Sequence, residues 1–190
     1  PKRVGFTGES RYGLINVRHR LDKQALPLMV ERFAQLAEAP GHPLKNSVFR
    51  PKIRSTAADQ QKTLAELNLD RPARIVAFCP GAEFGPAKRW PAAHFAALAK
   101  RLAEQGYAIW LFGSPKDHAV AEEISQLAPS LCRNLCGATS LAQAVDLLAM
   151  ADLVVCNDSG LMHVAAALDR PIVALYGSSS PGFTPPLSDQ

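Results

Sequence analysis

The chain has 190 residues and a mass of 20.5 kDa, room for one domain or one domain with part of another. Hydrophobic residues make up 47% and charged residues 20%, which excludes disordered, collagen-like and low-complexity classes. The net charge of +4 and isoelectric point near 9.0 are mildly basic, short of a dedicated nucleic-acid binder.

That charge is uneven. Residues 1–54 hold eleven Lys/Arg against four Asp/Glu, whereas residues 55–190 hold ten against thirteen. A basic front segment suits an anionic partner such as a phosphorylated substrate or a membrane surface, and a solvated basic surface fits the same count. No aromatic residues interleave with the cations in the RNA-binding manner, so nucleic acid is not expected as a partner. The four cysteines, Cys79, Cys132, Cys136 and Cys156, form no C-x-x-C pair and have no histidines at zinc spacing, so no metal site is expected. Cys79 and Cys156 end apolar runs, the usual place of reduced, buried thiols, which points to a cytoplasmic compartment. No run approaches the roughly 18 to 20 apolar residues of a membrane span, and no secretory leader is expected. The start at Pro1 and the end at Gln190, just past Pro181–Pro186, suggest part of a longer polypeptide.

In chain order, the first predicted helix is Leu28–Ala39, ended by Pro40-Gly41. Asn46–Ser55 reads as a connector, because Pro51 and alternating basic residues discourage a regular element. A second amphipathic helix is predicted over Thr56–Leu69, capped by Ser55 or Thr56. From Arg74 onward short β-rich runs alternate with helical stretches, the signature of βαβ units and a doubly wound parallel sheet. The runs are Ile75–Cys79, Tyr107–Phe112, Leu131–Cys136, Leu153–Cys156 and Ile172–Tyr176. Between them lie apolar stripes at helical spacing: Phe95/Leu98/Ala99/Leu102, Val120/Ile124/Leu127, Leu141/Ala144/Val145/Leu148 and Leu161/Val164/Ala165/Leu168. Gly106 stands where a helix C-cap is expected, and Pro91 where a first-turn proline is tolerated.

Ligands of such a sheet bind outside the carboxyl ends of the strands. Those ends read Pro80-Gly81-Ala82-Glu83, Gly113–Asp117, Gly137–Ser140, Asn157–Gly160 and Gly177–Ser180, all small or polar. Asn157-Asp158-Ser159-Gly160-Leu161-Met162-His163 joins a strand to a helix, and Gly160 lets a ligand approach unpaired N–H groups at a positive dipole end. His163 lies off the apolar stripe and can reach back toward the same anion. The alternative is that Asp158 or Ser159 caps the helix and His163 is a surface residue. The loop Pro80–Pro91 places Lys88 and Arg89 just before a helix, a strong anion arrangement, while Trp90 is expected to pack that helix on the sheet. Asp117 follows the second strand of this half, where a carboxylate can bond ribose hydroxyls or simply cap a helix.

There is no G-x-G-x-x-G after a strand, no P-loop and no G-x-S-x-G elbow, which disfavours dehydrogenases, P-loop NTPases and α/β-hydrolases. Asp158, Ser159 and His163 fall within six positions, too close in sequence for triad geometry. No Asp-x-Asp pair appears, so neutralisation of a diphosphate falls to Lys88 and a helix end.

Two long motifs, Phe78–Pro91 (FCPGAEFGPAKRWP) and Asn157–Leu168 (NDSGLMHVAAAL), closely resemble the ADP-heptose:lipopolysaccharide heptosyltransferases of glycosyltransferase family 9. The likeness runs from Arg11-Tyr12-Gly13-Leu14 to Pro185-Pro186. It implies a GT-B glycosyltransferase, of which residues 1–54 would be the tail of the N-terminal acceptor domain and linker. Residues 55–190 would be the C-terminal Rossmann-like domain that binds the nucleotide sugar. The resemblance implies that Lys88 contacts the donor diphosphate, and that Asp158, Ser159, Gly160 and His163 form the phosphate-side loop. Asp117 would then lie near the adenosine ribose, with Gly81 and Glu83 at the same strand-end edge. It further implies an inverting, metal-independent transfer of L-glycero-D-manno-heptose from ADP-heptose to the first heptose of the lipid A–core acceptor, without a cofactor. That reaction would run in the cytoplasm, with peripheral contact at the inner membrane. The acceptor surface and base of the family lie in a segment nothing here matches, so no base is assigned. The alternatives are a family member with another acceptor, an ADP-binding module that transfers nothing alone, and a sugar-nucleotide epimerase.

Overall fold

A computed structural model describes residues 1–45, 48–83 and 85–188. These described residues fall into two compact units, 1–49 with Ser180–Pro185, and Arg50–Ser179 with 186–188.

The first unit holds a two-stranded parallel sheet, β1 (Val4–Phe6) beside β2 (Val17–His19), and helix α1 (Met29–Gln35). The Glu31 carboxylate accepts from the Leu28 N–H at 2.9 Å and so satisfies one donor ahead of the first turn. The helix is shorter than its predicted span of 28–39. Leu36, Ala37 and Glu38 donate to carbonyls three residues back, a tightened end that precedes Pro40. Phe183 belongs to this unit: its carbonyl accepts from Met29 N–H at 2.9 Å, and the Arg32 guanidinium lies 4.7 Å from its ring centroid.

The second unit begins with a segment that the sequence reads as a connector and that folding pins in place. Of it, Asn46 and Ser47 lie outside the described residues. Ile53 N–H donates to Ala167 O at 2.8 Å, and the Ser55 hydroxyl donates to Asp146 Oδ1 at 2.8 Å. Thr56 caps α2 (Ala57–Glu66) in a reciprocal exchange with Asp59, and Thr63 donates to the second Asp146 oxygen at 2.9 Å.

Five parallel strands follow: β3 (Ile75–Cys79), β4 (Ala108–Leu111), β5 (Cys132–Asn134), β6 (Leu153–Asn157) and β7 (Ile172–Leu175), in the spatial order β5-β4-β3-β6-β7. The first matches its predicted bounds, and the others shift by one or two residues at their ends. The strands are joined by α3 (Ala92–Ala103), α4 (His118–Leu127), α5 (Leu141–Leu148) and α6 (Gly160–Ala167). All five residues of β3 are buried, as a central strand covered on both faces requires. Ile75, Ala77 and Cys79 enter a core with Leu64, Leu147, Leu148 and Met162, while Val76 and Phe78 enter another with Phe95, Ala99 and Ile124. So α2, α5 and α6 cover one face, and α3 and α4 the other.

The predicted stripes hold in outline. Leu127 and Leu141 are exceptions, 42% and 67% exposed, because burial falls on Ala121/Ile124/Ala128 and Ala144/Leu147/Leu148 instead. Gly106 closes α3 with φ +82°, its N–H on Ala103 O and the next N–H on Leu102 O. The chain steps from β3 out to β4 and β5, then returns to β6 on the other side of β3. The carboxyl ends of β3 and β6 therefore flank the topological switch point. All four cysteines are unbonded. Among the described residues no helix is long and apolar enough to cross a membrane.

Candidate functional site

The switch point is braced by Asn157, the last residue of β6, which is fully buried. Its Nδ2 donates to Pro80 O at 2.7 Å, and its Oδ1 accepts from Trp90 N–H at 3.1 Å. One side chain thus holds both ends of the loop after β3. Inside that loop a 3₁₀ turn, Pro86–Lys88, presents Lys88, whose Nζ lies 2.7 Å from Asp158 Oδ2. The two side chains are only 21% and 8% exposed, so the pair is largely shielded from water. Burial pushes the Asp158 carboxyl up, but the hydrogen bond from Lys88 and the charges of Lys88 and His163 outweigh it and hold the group below the usual range. The buried Ser179 hydroxyl, outside ordinary hydrogen-bond geometry, adds to that lowering.

Next in the chain, Ser159 is the N-cap of α6, with extended backbone and no capping bond from its side chain. A Cβ placed on Gly160 would meet nothing within 4 Å. The helix start is therefore open, with first-turn N–H groups and the positive dipole end directed at that space.

Beside it lies a pocket of about 120 Å³, bounded by Gly81, Ala82 and Glu83 after β3, by Gly113, Ser114 and Asp117 after β4, and by Ser159 and Gly160. Gly81 is required here, since a Cβ would come within 2.3 Å of Asp117 Oδ1. The other Asp117 oxygen accepts from Ser114 N–H at 2.9 Å and from its hydroxyl at 2.7 Å, so the carboxylate caps its own turn while lining the pocket. Arg89 lies against it, Nη2 at 3.9 Å from Asp117 Oδ1 and donating to Ala82 O at 3.3 Å. Glu83 stands at the rim in an exposed pair with Lys116, at 3.0 Å.

Gly81, Glu83, Asp117, Ser159 and Gly160 thus surround one pocket, and Lys88 with Asp158 stands at the same switch point. His163 is exposed on the first turn of α6, close enough for its charge to act on Asp158. One expectation is corrected. Lys88 and Arg89 do not serve the helix that follows them, whose N-cap is Pro91. Lys88 reaches instead to Asp158, just before α6, and Arg89 to Ala82 and Asp117. Trp90 packs as expected, stacked on His94 and edge-on to Phe95 at 4.9 Å. Phe84 lies outside the described residues.

Two residues that shape the site carry weak sequence signals, Asn157 and Gly177. A Cβ on Gly177 would sit 2.6 Å from Ala87 O, so the end of β7 presses directly on the residue before Lys88. Both stood in the sequence only as polar or small residues at strand ends, with nothing to show what Asn157 would bind or what would press on Gly177. Among the described residues no group of three or more His, Cys, Asp or Glu is placed to hold a metal ion.

Residues 1–190 match the family of glycosyltransferase family 9 (heptosyltransferase). The chain is 51% identical to a lipopolysaccharide heptosyltransferase 2 of Salmonella typhimurium over 197 residues, which cover 99% of this chain and 57% of that protein. It matches a structure of the E. coli ADP-heptose lipopolysaccharide heptosyltransferase II with a TM-score of 0.89 and 49% identity, covering 100% of this chain and 60% of that one. An E. coli heptosyltransferase WaaC with ADP matches at a TM-score of 0.58 and 26% identity, over 92% and 57% of the two chains. The chain thus spans well under two thirds of the length of these relatives.

Proposed function

Because the chain belongs to glycosyltransferase family 9, the heptosyltransferases, we propose that it is the donor-binding part of an enzyme that transfers heptose from ADP-heptose to the inner-core heptose of lipopolysaccharide. Residues 55–190 are the donor domain in this reading, and residues 1–54 the tail of an acceptor domain with its linker. The observation that carries it is the Lys88–Asp158 pair beside the open start of α6, at the switch point of a Rossmann-like sheet.

The chemistry follows from that placement. An acceptor hydroxyl oxygen attacks the anomeric carbon of the donor from the face opposite the diphosphate. The bond from that carbon to the β-phosphate oxygen breaks, the configuration inverts, and ADP leaves with one more negative charge. The hydroxyl proton passes to a base that is assigned to no residue of this chain. Lys88 and the N–H groups of α6 meet the charge as it develops on the diphosphate, positioned before the reaction begins, and no metal ion is required. Asp158 fixes the ammonium, His163 adds a cation when protonated, and Gly160 keeps the approach clear. Gly81, Glu83 and Asp117 line the place for the nucleoside. The basic surplus of residues 1–54 supports contact with a phosphorylated lipid A–core acceptor and the inner-membrane surface that carries it.

The test is calorimetric titration of the folded chain with ADP, with GDP and UDP for comparison. Selective binding of ADP is expected, and Lys88→Ala should weaken it roughly 10- to 100-fold, the range of a hydrogen bond to a charged group. Equal affinity in Lys88→Ala removes Lys88 from the mechanism, and no ADP binding by the folded chain rejects the donor-site reading. The share of the relatives' length that is covered also favours a second reading, a chain that binds ADP and transfers nothing by itself. Transfer measured with and without the heptose acceptor separates the two.

A further inference from the structure

We infer that Asn157 is a positioning residue for Lys88, acting chiefly on the diphosphate end of the donor. The inference rests on the donor-site reading. Lys88 sits in a segment, residues 81–89, whose described residues form a 3₁₀ turn and no strand or α-helix. Ties at its ends limit how far such a segment can carry its cation from one point. Both ties are on one side chain: Pro80 O accepts from Asn157 Nδ2 at 2.7 Å, and Trp90 N–H donates to Asn157 Oδ1 at 3.1 Å. The amide is fully buried, so these bonds face no competition from water.

The next residue, Asp158, receives the ammonium. Consecutive residues therefore do two jobs, one fixing the loop and the other fixing the charge that the loop carries. Gly177 supplies an independent constraint, because Ala87 O occupies the space its Cβ would need. Neither Asn157 nor Gly177 lines the pocket that takes in Gly81 and Asp117. The first residues of the loop, Gly81, Ala82 and Glu83, do line it, so loosening the loop should cost ADP, which also needs Lys88, more affinity than a nucleoside bound there.

The test compares ADP with adenosine on the folded chain, alone and in the Lys88→Ala background. Asn157→Ala should weaken ADP roughly tenfold, the scale of a lost hydrogen bond, and adenosine by clearly less. Once Lys88 is already alanine it should weaken ADP by no more than it weakens adenosine, since the rest of its effect runs through that side chain. Gly177→Ala should repeat the pattern and serves if Asn157→Ala does not fold. A loss of adenosine affinity equal to that of ADP, or an additive loss in the double variant, overturns the inference and leaves Asn157 as a core residue only. Lys88→Ala with unchanged ADP affinity overturns the donor role of Lys88 and this inference with it.

A ligand-free measurement keeps the two readings distinguishable. The ¹⁵N-labelled Lys88 ammonium should give a protected signal in the wild-type chain that Asn157→Ala abolishes. Should ADP fail to bind at all, the donor-site reading falls, and this signal still decides whether Asn157 holds Lys88. Its survival in Asn157→Ala overturns the inference.

Discussion

At the scale of single residues, burial pushes the Asp158 carboxyl up and Lys88 pulls it down, with a net lowering. A carboxyl lower in the folded than in the unfolded chain contributes stability above its unfolded value, near 3.9, and loses it as pH falls through the folded one. Melting temperatures of the wild type and Asp158→Asn should thus differ most at neutral pH and converge below about pH 4. A gap that stays constant down to pH 3 would mean that the pair does not stabilise the fold. Lys88 and Asp158 were each legible in the sequence as members of motifs. Their pairing was not, since it joins positions 70 residues apart. Asp117 shows the same limit from the other side: its strand-end position was readable, but whether the carboxylate capped a turn or faced a ligand depended on Ser114 and Gly81 packing around it.

At the scale of elements, local rules predicted best where local forces decide. β3 is apolar throughout and stops at a proline, so its bounds could be read directly. α1 could not be bounded so well, because the tightening of its last turn before Pro40 leaves the apolar spacing intact. Leu127 and Leu141 kept the helical period yet face solvent, since the buried face of each helix is set by Ala121/Ile124/Ala128 and by Ala144/Leu147/Leu148. Two substitutions measure the local terms. Thr56→Ala removes the side-chain acceptor from the start of α2 and should lower stability by about 1 kcal/mol. Gly106→Ala forces a side chain into φ +82° and should cost about 1–2 kcal/mol. Denaturant midpoints check both, with slopes unchanged.

At the scale of the whole molecule, the doubly wound parallel sheet could be anticipated from the βαβ rhythm, while its strand order came with the fold. The return of residues 180–185 to the first unit could not, for nothing in their composition names the partner that Met29 and Arg32 provide. The thiols buried around the sheet have one more consequence. Cys79, Cys136 and Cys156 are closed off from water, and burial raises the latter two thiols to about 12 and Cys79 well above its ordinary value. In the closed state these sulfurs are neutral and out of reach of a disulfide reagent, whereas half-buried Cys132 should label first. Their rate of modification near pH 8 therefore counts how often the sheet opens. Cys79 lies on the pocket wall, so ADP at 100 times its dissociation constant should slow labelling there about a hundredfold if the nucleotide binds the closed form alone. The chain carries its own clock for breathing, and the nucleotide should stop its hand.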